Sequence, residues 1–281
     1  MKIFIDSAEI GEIKEAQSYG ILDGVTTNPS LIKKALEEKK GKGKNVNIEY
    51  HIAKIFKAVG KKAPVSLEVV GSDFKEMVKE GRILHKKFKK CGNIYVKIPV
   101  DPCMDSICTR DADGIKAIKT LSRDRIKINC TLIFTPEQAL LAAKAGAKIV
   151  SPFIGREDDY IRETNRIKFK KEDYFPALGR KKFGKILNDS GIVSGVDLVR
   201  ECRRVFDLGK IKAEILAASI RNKRQFREVV LAGADIATLP FEVIKTLLKH
   251  HKSVEGMKKF TKDVVDEYAR LVAYKSVRSG K

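Results

Sequence analysis

The chain has 281 residues, 43% of them hydrophobic, which is enough apolar material for a sizeable core and too much for a disordered chain. Its formal net charge of +21 draws anions, whether nucleic acid, an acidic membrane surface or phosphorylated metabolites, but lysines spread through most helical stretches argue against one dedicated nucleic-acid face. No apolar run approaches the ~20 residues of a membrane span, and the acid in Met1-Lys2-Ile3-Phe4-Ile5-Asp6 stands where a secretory leader would stay apolar.

In chain order, short β-rich runs occur at 2–6, 24–28, 65–69, 93–98, 126–133, 148–153, 212–218 and 234–238. Apolar residues at helical spacing lie between them, such as Ile115, Ile118 and Leu121, then Leu140, Leu141 and Ala145, then Val243, Ile244, Leu247 and Leu248. Strands alternating with helices pair in parallel. Eight such units predict an α/β fold, a closed (β/α)8 TIM barrel in a single domain over 1–281. After the eighth helix, Met257, Phe260, Val264, Tyr268 and Leu271 recur every three or four residues, so 253–275 reads as an extra amphipathic C-terminal helix. Its stripe covers the barrel's outer surface or, the preferred reading, a neighbouring subunit. The five cysteines, at 91, 103, 108, 130 and 202, do not look like a disulfide framework. Cys103 and Cys108 alone are poorly spaced for zinc. The expectation is a reducing, cytoplasmic setting and no metal.

Barrel enzymes carry their reactive groups at the C-terminal strand ends, which converge on one mouth. Here Asp6 closes the first strand, Thr26, Thr27 and Asn28 the second, Glu68 the third and Lys97 the fourth. Asn129 and Thr131 share one face of the fifth strand, Ser151 ends the sixth, and Ser219 and Arg221 follow the seventh. Burying so many unpaired polar groups costs several kcal/mol, by rough estimate, unless they bond one another or a ligand. A lysine held in a closed core loses its proton more readily and becomes a nucleophile for carbonyl carbons. With a ketone it forms a carbinolamine and then a Schiff base, an electron sink that permits carbon–carbon cleavage. Asp6 and Glu68 are the carboxylates available for proton transfer. Arg156 and Arg221 lie on late-strand loops, the usual phosphate site of such barrels, which makes a sugar phosphate the natural substrate class.

The runs FIDSA (4–8), DGVTTNPSLI (23–32), VSLEV (65–69), YVKIP (95–99), NCTLIF (129–134), SPFIGR (151–156), ILAASIRN (215–222) and LAGADIATLP (231–240) resemble, collinearly and over nearly the whole chain, the transaldolase family, in particular its short microbial branch that includes the fructose-6-phosphate aldolases. The resemblance implies a Schiff base on Lys97, with Asp6 moving the proton of the substrate's C4 hydroxyl. Glu68, with Thr131 and a water, would serve carbinolamine formation and loss. Asn28 with Thr27, and Asn129, would hold substrate hydroxyls, Ser151 would orient the C1 end, and Phe153 would line the same site. Arg156, Ser219 and Arg221 would bind phosphate. No metal or organic cofactor is implied, and the assembly would be a homo-oligomer, a pentamer or decamer. The aldolases resemble the pattern with Gln at the Glu68 position and Tyr at the Phe153 position, so this chain looks like a transaldolase.

Relative to the compact pattern the chain is longer at Lys39 to Asn45, at 101–111 and at 160–187; the last holds nine Lys/Arg against three Asp/Glu. The second and third are βα loops on the catalytic face, able to form a lid, to contact a longer sugar phosphate or to change subunit packing. Two rival readings stand beside the transaldolase: an aldolase-like lyase on the same scaffold, and a non-catalytic basic barrel that binds polyanions.

Overall fold

The computed structural model describes residues 1–41, 47–104, 108–110 and 112–272. The chain divides into two compact units, Met1–Ile244 and Lys245–Lys281, each taken by itself. In the first unit the strands are β1 (Lys2–Asp6), β2 (Gly24–Thr26), β3 (Pro64–Glu68), β4 (Asn93–Pro99), β5 (Ile128–Ile133) and β6 (Ile149–Pro152), then β7 (Lys181–Lys182) and β8 (Lys185–Ile186), then β9 (Glu214–Ala217) and β10 (Ile236–Leu239). All but β7 and β8 close into a parallel barrel in the order β1-β10-β9-β6-β5-β4-β3-β2. The eight expected strands are all present.

The helices are α1 (Ile10–Ser18), α2 (Pro29–Lys40), α3 (Ile48–Val59), α4 (Phe74–Phe88), α5 (Asp113–Arg123), α6 (Pro136–Ala145), α7 (Ile154–Thr164), α8 (Gly195–Leu208), α9 (Lys223–Leu231) and α10 (Phe241–Leu247). Parallel strands covered by helices are buried on both faces and so read as apolar runs, as Val25, Val65, Val96, Ile98, Ile128 and Val150 do here. Phe4, Ile149, Leu216, Ala218 and Ile236 pack as one cluster, with Tyr95 and Phe153 against it. Gly114 lets α5 start directly under the end of β4: a Cβ there would stand 2.3 Å from the carbonyl oxygens of both Pro99 and Val100.

Three expectations change. Cys103 and Cys108 are joined by a disulfide, with Cα atoms 6.3 Å apart, so one cysteine pair is bonded where none was expected. Spacing alone could not reveal this, because pairing depends on how the chain after β4 turns back; the other residues of that 101–111 stretch are described only in part. The second unit carries two helices, α11 (His251–Lys262) and α12 (Asp266–Val272), where one was expected over 253–275, and residues 273–275 lie outside the described residues. The break falls at Asp263-Val264-Val265, where two adjacent β-branched residues weaken helix propensity. The 160–187 stretch begins inside α7 and continues as a folded cap. Arg162 donates to Asp173 O at 2.7 Å and lies over the rings of Phe169 and Phe175, while Ile161, Phe175 and Leu187 form a small apolar cluster. Of the lysine-rich stretch from Lys39 to Asn45, residues 42–45 lie outside the described residues.

Candidate active site

The barrel register brings Lys97 on β4 level with Glu68 on β3 and Asn129 on β5. Lys97 is 5% exposed, its Nζ lies 3.0 Å from Glu68 Oε2, and it donates to the carbonyl oxygen of Thr27 at 3.3 Å. A buried ammonium is tolerated only when paired and hydrogen-bonded, and this one has both. The same pair gives its proton a place to go.

Asp6, at the end of β1, accepts a hydrogen bond from Thr26 Oγ1 at 2.6 Å, and Thr26 Oγ1 is in turn 2.6 Å from Thr238 Oγ1. Because the Thr26 proton is committed to Asp6, Thr238 donates to Thr26, and a chain of hydroxyls from β10 and β2 orients the carboxylate. Burial pushes the Asp6 carboxyl above its ordinary value, while Lys97, the Thr26 hydroxyl and Arg156 pull it back down.

Beside the lysine on β5, Asn129 Nδ2 donates to Ser66 Oγ at 3.2 Å and its Oδ1 accepts from Ser151 Oγ at 2.6 Å, so the amide is held in one orientation. Two positions on, the β5–β6 register shifts between Cys130 and Ile133, and Leu132 has φ +58. Such bulges re-aim side chains at barrel rims. Thr131 at this bulge is fully buried, and its hydroxyl has no hydrogen-bond partner among the described residues.

The opposite wall is cationic. Phe153 caps the N-terminus of α7, its ring centroid 6.0 Å from that of Phe134, with the Arg156 guanidinium 5.1 Å above it. Ser219 adopts φ +61 just past β9. Arg221 forks onto Asp159 of α7, with Nη1 to Oδ1 at 2.5 Å and Nη2 to Oδ2, and Nη1 also donates to Lys171 O at 3.0 Å. Gly155 makes room for that arginine: a Cβ there would stand 2.4 Å from Ser219 O and 2.7 Å from Arg221 Nε.

A cavity of about 310 Å³ joins these groups. Asp6, Asn28, Lys97, Ser151, Phe153, Arg156, Ser219 and Arg221 all border it. Asn129 and Thr131 lie outside its wall. Thr27 and Glu68 border a second, largely apolar cavity between β3, α2 and α3, and the Thr27 hydroxyl donates to Ser66 O at 2.8 Å. Asn28 borders both cavities, its side chain accepting from Leu31 N at 2.9 Å at the start of α2. Sequence reasoning placed Thr26 among the strand-end groups without giving it a role, and did not assign Thr238, Asp159 or Lys171 to the site. Thr238 was readable as a strand-end hydroxyl, and Lys171 belongs to the basic 160–187 stretch on the catalytic face; Asp159 carries no local signal. Among the described residues, no three His, Cys, Asp or Glu side chains are grouped so as to hold a metal ion.

The model of the transaldolase/fructose-6-phosphate aldolase family matches residues 3–276. A "Probable transaldolase" of Thermoplasma acidophilum is 41% identical over 263 residues, covering 94% of this chain and 95% of its own length. Proteins with the same printed name from Bacteroides thetaiotaomicron, 41% identical over 94% of this chain and 97% of their own, and from Petrotoga mobilis, 39% identical over 94% of each chain, are similar to the same extent.

Proposed function

The chain belongs to the transaldolase/fructose-6-phosphate aldolase family, and from that premise we propose that it is a transaldolase, moving a dihydroxyacetone unit between sugar phosphates through a Schiff base on Lys97. The reaction is sedoheptulose 7-phosphate plus glyceraldehyde 3-phosphate giving erythrose 4-phosphate and fructose 6-phosphate. The observation that carries the reading is the Lys97 amine, 5% exposed at the barrel mouth, 3.0 Å from Glu68 and sharing its cavity with Asp6.

Lys97 passes its proton to Glu68, and the free amine attacks the ketose C2 carbonyl, whose oxygen takes up a proton to give the carbinolamine. Glu68, with the unpartnered Thr131 hydroxyl, serves the loss of that oxygen as water and leaves a protonated imine. Asp6 takes the proton of the C4 hydroxyl, the C3–C4 bond breaks, and its electron pair moves onto the imine nitrogen to give an enamine. The aldehyde leaves. The steps then reverse on the acceptor aldehyde, with Asp6 returning its proton to the new hydroxyl. Asn28 and Ser151 hold hydroxyl groups, Asn129 steadies the Ser151 hydroxyl from behind the cavity wall, and Arg156, Ser219 and Arg221 take the phosphate.

The aldolase alternative differs in the fate of the enamine. Phe153, packed on Phe134, offers the mouth no phenolic proton donor, so the enamine waits for an aldehyde instead of being released by water. A cytoplasmic homo-oligomer belongs to the same reading; the exposed Val254, Met257, Phe260, Tyr268 and Leu271 of the second unit support self-association.

Borohydride reduction in the presence of fructose 6-phosphate, followed by peptide mapping, tests the mechanism. The adduct is expected on Lys97 alone and is absent in Lys97→Arg; label on another lysine, or on none, removes the proposal. Dihydroxyacetone released faster than it is transferred to erythrose 4-phosphate would move the chain to the aldolases.

A further inference from the structure

We propose that the cap between α7 and α8 supplies a phosphate-recognition residue, Lys171, which makes selection of phosphorylated over free sugars a property of that added segment. The inference rests on the transaldolase reading for the nature of the substrate, but its geometry does not depend on it. Lys171 sits on a turn closed by Lys170 N donating to Asp173 Oδ2 at 2.8 Å and Asp173 N donating to Lys170 O at 2.9 Å. The turn is fastened to the barrel on both sides. Arg162 of α7 holds Asp173 O, while Tyr174 donates to Glu228 of α9 at 2.7 Å with the Arg224 guanidinium 3.8 Å above its ring. So anchored, the turn brings Lys171 to the border of the cavity that Lys97, Arg156, Ser219 and Arg221 also line.

Charge pairing within that wall is uneven. Arg221 has both terminal nitrogens engaged by Asp159 and a third contact to Lys171 O, and its Nε is buried without a partner. Among the described residues neither Arg156 nor Lys171 forms a salt bridge with a carboxylate, although the Arg156 charge also acts on Asp6. A phosphate monoester is close to a dianion at neutral pH. Arg221 meets it with a charge already shared with Asp159 and also fixes the cap's position through the Lys171 carbonyl, so the cations there outside any salt bridge are Arg156 from the barrel and Lys171 from the cap. Truncating the Lys171 side chain leaves that carbonyl in place and isolates the ammonium.

The probe is glucitol 6-phosphate, an open-chain hexose phosphate with no carbonyl and hence no route to an imine, titrated calorimetrically into wild type, Lys171→Ala and Lys171→Arg. Loss of one charge-assisted contact predicts binding about ten-fold weaker in Lys171→Ala, largely recovered in Lys171→Arg, with a shallower salt dependence in the alanine variant. In parallel, borohydride trapping gives the ratio of half-saturating fructose to fructose 6-phosphate, which is expected to fall by a similar factor in Lys171→Ala. Equal binding by wild type and Lys171→Ala, or no binding by the wild type, overturns the assignment. Lys171-dependent binding of glucitol 6-phosphate with no adduct on Lys97 would leave this inference standing and remove the transaldolase reading instead.

Discussion

Asp6 is held between two opposing influences, and the balance is what suits it to proton transfer. Burial disfavours its charged form, whereas Lys97, the Thr26 hydroxyl and Arg156 favour it, and the net direction is upward. A carboxyl above its ordinary range can both take a proton from a hydroxyl and return it, because neither step is far downhill. In the proposed mechanism Asp6 acts on the C4 oxygen and has no part in the attack of Lys97 on C2. Asp6→Asn keeps the shape and the hydrogen bond from Thr26 and removes only the exchangeable proton. Turnover is expected to fall about 10²–10⁴-fold, the range for a lost general acid–base, while borohydride still traps ketose on Lys97. Loss of the adduct together with turnover would place Asp6 in imine formation and contradict the role given to it.

At the level of the elements, the βα unit that carries Asn129 and Thr131 shows how local chemistry positions the site. Thr135 accepts from Gln138 N at 3.1 Å, Gln138 Oε1 accepts from Thr135 N at 3.3 Å, and Pro136 opens α6 behind this capping box. Thr135→Ala is expected to cost about 1 kcal/mol, visible as a lower urea midpoint with an unchanged slope; an unchanged midpoint would show that the cap contributes nothing. The capping signals of this unit, Thr135, Pro136 and Gln138, stand together in the sequence. The eight strands were legible there, because a strand buried on both faces has to be apolar until its last residues, and Asp6, Glu68 and Lys97 stand out against Phe4, Leu67 and Val96. What could not be read is whatever joins elements distant along the chain. Asp159 on α7 and Arg221 before α9 are 62 residues apart, and nothing local marks their pairing. The bulge at Leu132, the disulfide of Cys103 and Cys108 and the anchoring of the cap by Arg162 and Tyr174 belong to the same class. Each depends on a backbone path, and residue types alone do not specify one.

For the molecule as a whole, charge and burial combine in a pH dependence of stability to which buried acids outside the candidate site contribute. Glu157 follows Arg156 on α7 but is 1% exposed, and neither of its carboxylate oxygens has a hydrogen-bond partner among the described residues. Burial, with Asp189 and Asp158 nearby, pushes its carboxyl from 4.5 up to about 8. Its neighbour Asp158 is also pushed up, to about 7, chiefly by burial, although Gly195 N–H, Arg162, Gln225 and Arg221 all favour its charged form. For Glu157 the native state therefore keeps a proton that the unfolded chain has released, between pH 4.5 and about 8. Stability is greatest below that window, falls as pH rises through it and is level above it. At pH 8 the loss is on the order of a few kcal/mol, or about 5–10 °C in melting temperature for a chain of this size. The net charge of +21 acts in the opposite sense, since any proton lost as pH rises eases the self-repulsion of the folded chain. The wild-type profile is thus a sum of opposed effects, and a comparison with Glu157→Gln separates them. The amide is uncharged at every pH, so the two proteins should melt at similar temperatures at pH 5, and the variant should melt higher at pH 8. Parallel melting profiles across pH 5–8 would mean that Glu157 is already charged in the folded protein, and that this helix pays no cost for its buried acid.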